Sequence, residues 1–313
     1  MGAPSVTVVL PTLRRPDALA RAMSSLAMQE TGFDWELVVV DNDIAPGAEA
    51  IIDALAPSIP AAVTVLREAR RGAAYARNTG IDAAKSEVVA FVDDDVVAGS
   101  TWLAALAAPI LEGRAEGAGG PVKLDPAVPL PYWVSRDWRG CLSEFDRGQH
   151  ERDLEAGDFV LTASAAFRTD LLRETGGFDP ILGPAQRVPI FFNEDVDLCR
   201  RFSALGGRIR YVPEAAVVHE VPPERLRPGY FVKRTYAQGR SDWLLERETN
   251  ARRPLGGAKG MVIHLGRLLG DRMREGPWHP DVAMGATLSV VHTAGFLREA
   301  TVQRARAVRR GRP

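Results

Sequence analysis

Apolar residues along this chain gather in short unbroken runs separated by amphipathic stretches. Val6-Thr7-Val8-Val9-Leu10, Leu37-Val38-Val39-Val40, Val63-Thr64-Val65-Leu66 and Val88-Val89-Ala90-Phe91-Val92 each read as a strand. A continuous apolar run, rather than an alternating one, predicts burial on both faces, as inside a parallel sheet. Helical patterns lie between the runs. Pro16-Asp17 opens one, with Leu19, Met23 and Leu26 as its apolar stripe, and a weaker one spans Ala48 to Leu55. Past Arg70-Arg71-Gly72, the small residues Ala76, Gly80, Ala83 and Ala84 recur at helical spacing, which predicts a helix packed closely on its sheet. Strands alternating with helices imply right-handed crossovers and a sheet covered on both sides.

Further along, Trp102 to Gly120 reads as a short helix and a glycine-rich turn, and Pro121 to Leu124 as a strand. Periodicity then lapses from Asp125 to Gly148, where prolines and aromatics (Tyr132, Trp133, Trp138, Phe145) predict a long loop of the kind that forms lids and binding surfaces. Phe159 to Phe167 returns as a strand, followed by a brief helix from Asp170 to the Gly176-Gly177 turn. Asn193 suits the N-cap of a helix whose stripe is Leu198, Phe202 and Leu205 and whose stop is Gly206-Gly207. Arg208 to Val212 and Ala216 to Val218 read as closing strands, the second followed by His219. Beyond Val221 the pattern predicts helices over Tyr230 to Arg247, Gly260 to Met273 and Asp281 to Ala307, with an arginine-rich end that reads as solvated.

Composition narrows the class. The chain has 313 residues, 46% hydrophobic and 25% charged, with a net charge of -1, which is ordinary for a globular protein and argues against a dedicated nucleic-acid binder. Cys141 and Cys199 show no zinc-type spacing. Neither a signal peptide nor a membrane-length apolar run is visible, so the expectation is a cytoplasmic protein without a transmembrane segment, peripheral contact at the inner face of a membrane being left open. The alanine- and arginine-rich makeup looks bacterial.

Acidic residues sit at the predicted strand ends, where open parallel sheets bind their ligands. Pro11-Thr12, Asp41 and Asp93-Asp94-Asp95 would meet on one rim. Alternation in extended chain aims Asp93 and Asp95 one way and Asp94 the other. Two carboxylates about 4 Å apart repel by about 4 kcal/mol at an effective dielectric near 20, a cost that a hard divalent cation removes. A solvated turn is the competing description. Arg70, Arg71 and Arg77, near a helix start, suit either a bound anion such as a diphosphate or a solvated basic loop. Glu194, Asp195 and Asp197 are favourable charges for a helix's first turn in any case.

These stretches together resemble the family 2 glycosyltransferases of the GT-A fold, over Ser5 to Val221. The landmarks are Val6 to Thr12, Val39-Val40-Asp41-Asn42, Arg71-Gly72-Ala73-Ala74-Tyr75-Ala76-Arg77-Asn78-Thr79-Gly80, Phe91-Val92-Asp93-Asp94-Asp95, Gly176-Gly177-Phe178-Asp179, Glu194-Asp195-Val196-Asp197-Leu198 and Pro213 to His219. The resemblance implies an α/β, Rossmann-like and mostly parallel sheet with helices on both faces. It implies a nucleotide-sugar-binding half over residues 1–120, an acceptor-binding and catalytic half over 121–222, and a helical C-terminal region over 223–313.

It further implies a nucleotide-sugar donor, with Pro11 and Thr12 lining the nucleotide pocket, Asp41 near the base and Arg77 close to the nucleotide; Arg14, Asp93 and Asp94 are counted with this donor-binding set. Asp93 and Asp95 match the family's Asp-x-Asp, which holds ribose and a divalent cation, Mn²⁺ or Mg²⁺. His219 matches a position that completes the metal shell in some relatives. Asp195 matches the catalytic base, with Glu194 beside it. Trp133, Trp138 and Ser164 are the acceptor-side candidates, and a glycan, a lipid-linked molecule or a small molecule the candidate acceptor. Asp41-Asn42-Asp43 lacks the usual following serine, and Leu182 to Ile190 matches no family motif.

The reaction expected is an inverting hexosyl transfer from a UDP- or dTDP-sugar to a hydroxyl or amine. A sugar-1-phosphate nucleotidyltransferase would carry a glycine-rich turn where this chain has Pro11-Thr12-Leu13-Arg14. A receiver-like signalling module would leave everything beyond Gly120 unexplained, and a non-catalytic nucleotide binder would not need both Asp95 and Asp195.

Overall fold

The computed structural model describes residues 5–44, 47–155, 157–183, 192–246 and 280–309. The chain divides into two compact units: Met1–Asp125 with Ser143–Gln186 and Glu194–Glu220, and Pro126–Leu142 with Arg187–Asn193 and Val221–Pro313.

The first unit begins with the alternation that the hydrophobic runs predict: β1 (Val6–Thr12), α1 (Pro16–Ala27), β2 (Trp35–Asp41), α2 (Glu49–Leu55), β3 (Ala62–Arg67), α3 (Ala73–Ala83) and β4 (Val88–Phe91). It continues through β5 (Val96–Ala98), α4 (Trp102–Leu111), β6 (Gly117–Gly119), β7 (Val122–Pro126), β8 (Arg152–Asp153), β9 (Ala165–Arg168), α5 (Thr169–Glu174), α6 (Glu194–Ala204), β10 (Ile209–Tyr211) and β11 (Val217–Val221). The main sheet has the order β3-β2-β1-β4-β9-β6-β10-β8, and β5-β11-β7 form a smaller one. Pairing is parallel from β3 to β4 and between β6 and β10, and antiparallel on both sides of β9 and at β8.

Burial on both faces explains the unbroken apolar runs. Val6, Val8 and Leu10 of β1 join a core with Leu19, Met23 and Leu26 of α1 and Trp102 and Leu106 of α4, whereas Val9 faces the opposite core with Phe91, Phe167 and Phe202. Each fully buried side chain of this size contributes about 1.5–3 kcal/mol. Gly80 shows how tightly α3 is seated: a Cβ there would lie 2.3 Å from Cγ1 of Val9.

Two expectations need correction. The strand read over Phe159 to Phe167 is formed only from Ala165, because Thr162–Ser164 make a 3-10 turn. In that turn the hydroxyls of Thr162 and Ser164 leave the ladder for Asp195 and the carbonyl of Ala215. The closing strand does not end at His219: β11 runs on to Val221, with His219 opposite Val96.

The second unit contains α7 (Pro228–Leu245) and α8 (Pro280–Arg309), together with a 3-10 helix over Arg136–Leu142. The helices meet at glycines, since a Cβ on Gly239 would sit 2.0 Å from the carbonyl oxygen of His292, and one on Gly295 would sit 2.1 Å from that of Tyr236. The buried Glu299 takes Arg240 at 2.5 Å across the same interface. Trp133 packs edge-on against Phe231, with ring centroids 4.9 Å apart, so the aromatic segment belongs with the helices. The helix expected over Gly260 to Met273 lies outside the described residues. Among those described, no helix is long and apolar enough to cross a membrane.

Candidate active site

The parallel register places Thr12 of β1 beside Asp41 of β2, and Val9 beside Phe91 of β4, so the predicted strand ends do share one rim. Pro11 is buried in β1 opposite Val40. A cleft there is lined by Thr12, Arg14, Arg15, Asp41 and Asp43. Asp41 is buried, and its Oδ1 accepts the Asp43 amide at 3.1 Å. Its Oδ2 is buried with no hydrogen-bond partner among the described residues. An unpaired buried acceptor costs about 1–3 kcal/mol, so this oxygen is suited to an N–H from a ligand.

Asp43 pairs with Arg14, accepts Arg71 at 3.1 Å and accepts the Ile44 amide at 2.7 Å. The Arg14 guanidinium holds this carboxyl well below the usual range against the opposing effect of burial, with Ile44 and Arg71 assisting. Arg14 itself has φ +54, a left-handed conformation uncommon outside glycine. Asn42 fastens the loop before α3 by donating to the carbonyls of Glu68 and Arg70, both at 2.8 Å, and accepting the Gly72 amide at 2.8 Å.

The three acids after β4 do not follow strand alternation, because the strand ends at Phe91 and the chain turns. Asp94 accepts from Thr12 at 2.8 Å and shares Arg15 with Asp95, at 3.1 and 2.7 Å respectively. Asp93 instead accepts Arg77 at 2.8 Å. Arg15 and Arg77 thus supply the positive charge that the acid run calls for. Burial pushes the Asp94 carboxyl up to about 6, Arg15 pulling against it and Asp95 adding to it.

Arg77 projects from α3 into the interior, where it is 4% exposed. It donates to Asp93 and also, at 3.1 Å, to Glu194. Asp195 follows at the start of α6, its Oδ1 accepting the Thr162 hydroxyl at 2.9 Å. Burial raises the Asp195 carboxyl, with Arg77 opposing and Asp93 adding to the rise. Glu194 is pushed up to about 7, chiefly by burial and then by the charge of Asp195. Arg77 therefore stands between Asp93 and the Glu194-Asp195 pair.

Of the three residues expected to hold a metal, Asp95 and His219 lie together. Nε2 of the buried His219 lies 3.5 Å from Oδ2 of Asp95, an oxygen and a nitrogen suited to Mn²⁺. Asp93 is turned to Arg77, and among the described residues no group of three or more His, Cys, Asp or Glu side chains converges on a single point. Asp95 and His219 fit a divalent cation as a two-ligand fragment whose other ligands would come from elsewhere.

The acceptor-side candidates separate. Ser164 is fully enclosed; it donates to the carbonyl of Ala215 at 2.7 Å and accepts the Trp102 indole at 2.9 Å. It is a packing residue with no surface to offer an acceptor. Trp133 and Trp138 are half-buried in the second unit.

The model of the glycosyl transferase family 2 matches residues 7–175, which is more than half of the chain and includes β1 to β4 with the acidic turn. The chain belongs to glycosyl transferase family 2. A related model, glycosyl transferase family group 2, matches residues 151–295. The chain is 29% identical to the succinoglycan biosynthesis protein ExoM of Rhizobium meliloti over 234 residues, which is 74% of this chain and 71% of that one. It is also 29% identical to the pre-mycofactocin glycosyltransferase of Mycobacterium tuberculosis, over 69% of this chain and 42% of the relative.

The fold is that of GT-A glycosyltransferases. The mannosyltransferase PcManGT of Pyrobaculum calidifontis, solved with GDP-Man and Mn²⁺, superposes with a TM-score of 0.54 at 20% identity over 98% of this chain and 76% of that one. Residues 1–349 of S. aureus TarS, solved with UDP, give 0.54 at 18% identity over 98% and 92%. Arg15 and Thr162 were not singled out by sequence reasoning, and Asp43 only within the Asp41-Asn42-Asp43 stretch that lacks its usual following serine. For Arg15 the available signal was its place beside Arg14 and Pro16 just past β1; for Thr162 there was none, because its segment reads as strand.

Proposed function

We propose that this family 2 member is an inverting glycosyltransferase, moving a hexose from a UDP- or dTDP-sugar to a hydroxyl or amine of a glycan, lipid-linked or small-molecule acceptor. The observation that carries the reading is the buried Arg77, which ion-pairs with Asp93 on the donor side and Glu194 on the other. It brings the donor-binding acids and the Glu194-Asp195 pair to one guanidinium.

In this reading the nucleotide enters the cleft of Thr12, Arg14 and Asp41, which the buried Pro11 backs from within β1, and a ligand N–H satisfies the Asp41 oxygen that has no partner among the described residues. Asp95 and His219 would hold Mn²⁺ or Mg²⁺, joined by Asp93 if it exchanges Arg77 for the cation, and the bound ion would supply Lewis-acid stabilisation of the departing diphosphate. Asp195 takes the proton from the acceptor. Burial makes its carboxylate a stronger base than one in water, and Thr162 holds it in one orientation through Oδ1. Glu194, held by Arg77, steadies the start of α6.

Thermal-shift screening of nucleotide sugars with and without Mn²⁺ tests the donor assignment. A ligand with Kd near 10 μM, present at 1 mM, stabilises by about 2.7 kcal/mol. A panel of UDP-, dTDP- and GDP-sugars with no Mn²⁺-dependent shift would refute the reading.

A further inference from the structure

Arg15 stands at the N-cap position of α1, immediately before Pro16, and its side chain makes no capping bond. A cation there is opposed by the positive end of the helix dipole, so it needs anions close by. The turn after β4 supplies two: Nη1 of Arg15 donates to Oδ1 of Asp94 at 3.1 Å and to Oδ2 of Asp95 at 2.7 Å. These partners differ. Asp94 is buried and also accepts the Thr12 hydroxyl at 2.8 Å. Asp95 is more open, and the oxygen that takes Arg15 is the one that lies 3.5 Å from Nε2 of His219. The pairing of β5 with β11 holds this arrangement, because His219 is opposite Val96 and the Glu220 amide donates to the carbonyl of Asp95 at 3.2 Å.

Oδ2 of Asp95 therefore faces a guanidinium and an imidazole at once, and it is the oxygen through which Asp95 would join His219 on a divalent cation. Two positive groups beside one oxygen repel each other at short range, so a cation on Asp95 works against Arg15. Arg15 has room to move, since its side chain is 46% exposed and lines the cleft with Thr12, Arg14 and Asp41. The other arginines of this rim are placed differently. Arg14 and Arg71 pair with Asp43, which is outside the metal set, and Arg77 is buried between Asp93 and Glu194. A guanidinium that leaves Asp95 within this cleft still needs an anion, and its planar fork matches two phosphate oxygens.

We propose that Arg15 is a further donor-binding residue, which exchanges Asp95 for the diphosphate of the nucleotide sugar as Asp95 goes over to the divalent cation. This rests on the reading of Asp95 and His219 as metal ligands. One guanidinium then has two successive effects: on Asp95 it opposes the cation, and on the diphosphate it strengthens the complex of donor and cation. Neither ligand alone gives Arg15 a new partner without leaving a charge uncompensated, so the two bind cooperatively, and the coupling is reciprocal.

Arg15→Gln removes the charge and keeps a polar side chain in the cleft, whereas Arg15→Lys keeps the charge without the fork. Titration with Mn²⁺ alone, followed by the paramagnetic resonance signal of the free ion, should show uptake about fivefold tighter in Arg15→Gln than in wild type. Calorimetry in saturating Mn²⁺ then uses the nucleoside diphosphate that the binding panel selects, UDP or dTDP, beside its nucleoside. In Arg15→Gln the diphosphate should bind about tenfold more weakly and the nucleoside within about twofold of wild type, which assigns the loss to the phosphates. Arg15→Lys should fall between the two proteins in both measurements. Adding Asp94→Asn relieves the carboxylate left buried without its cation, and this double variant takes the place of Arg15→Gln if the single one is unstable. Unchanged or weaker Mn²⁺ uptake in Arg15→Gln, or equal losses for diphosphate and nucleoside, overturns the proposal. Wild type that binds the diphosphate equally with and without Mn²⁺ refutes the metal reading beneath it, whereas Mn²⁺-dependent binding that Arg15→Gln leaves intact refutes the proposal alone.

Discussion

Two acid clusters in the first unit carry charge in opposite ways. The run Asp93 to Asp95 lies in a turn, divides its three carboxylates between Arg15 and Arg77, and leaves the side chains of Asp93 and Asp95 29% and 18% exposed. Glu194 is buried and Asp195 half-buried, with Arg77 as their shared positive neighbour and Thr162 as a neutral donor to Asp195. Carboxylates partly open to solvent, such as Asp93 and Asp95, can exchange an arginine for a ligand or a cation. Glu194 has little solvent to draw on, so its charge state depends on the Arg77 guanidinium. The first arrangement suits binding and release, the second a base held ready in one place.

The sharpest separation of the clusters comes from removing a proton acceptor. Asp195→Asn keeps the shape and the Thr162 hydrogen bond and should lower kcat by about 10²- to 10⁴-fold with donor affinity unchanged, as read from steady-state kinetics beside calorimetric binding of UDP. Because burial disfavours the Asp195 charge, its melting temperature should be equal to or above that of wild type.

Arg77→Met removes the common cation. Breaking a buried pair by deleting one partner costs about 3–5 kcal/mol, so urea unfolding should show a loss of that order, and adding Glu194→Gln should recover part of it. Full stability in Arg77→Met would mean that the enclosed pair does not depend on the guanidinium.

Asp95→Asn probes the open cluster. Its expected effect is weaker UDP binding in Mn²⁺ and little change in EDTA, with no loss of stability, because Arg15 retains Asp94. Equal affinity of wild type and variant in Mn²⁺ would remove Asp95 from the metal set.

The smallest effect is in the pH dependence of stability. Glu194 titrates near 7 in the fold against an ordinary value of 4.5, so its folded form binds protons more tightly. Its stabilising contribution is complete below about 4.5 and is lost as pH rises through about 7. Asp94, pushed up to about 6 by burial, acts in the same direction. The melting temperature of the ligand-free protein should fall from pH 5 to pH 8, and less steeply in Glu194→Gln.

Local pattern determined much of this protein. Runs such as Val6 to Leu10 are legible because a strand covered on both faces needs apolar residues at every position, and the spacing of Ala76 and Gly80 announces a helix pressed against Val9. The order of the motifs around Asp41, Asp93 and Glu194 was sufficient for the family, since each marks a strand or helix end on one rim. Side-chain direction was not legible. Period-two alternation holds only while the chain stays extended, and it fails at Asp93 to Asp95, where the strand has already ended, and at Ser164, which a 3-10 turn sends into the core. Nor does any local signal join Arg77 to Glu194, which are 117 positions apart, or Thr162 to Asp195. Those pairings exist because α3, α6 and the turn before β9 are carried to the same place by the sheet. Sequence periodicity reports what each segment needs from its surroundings; only the assembled layers decide which charge meets which.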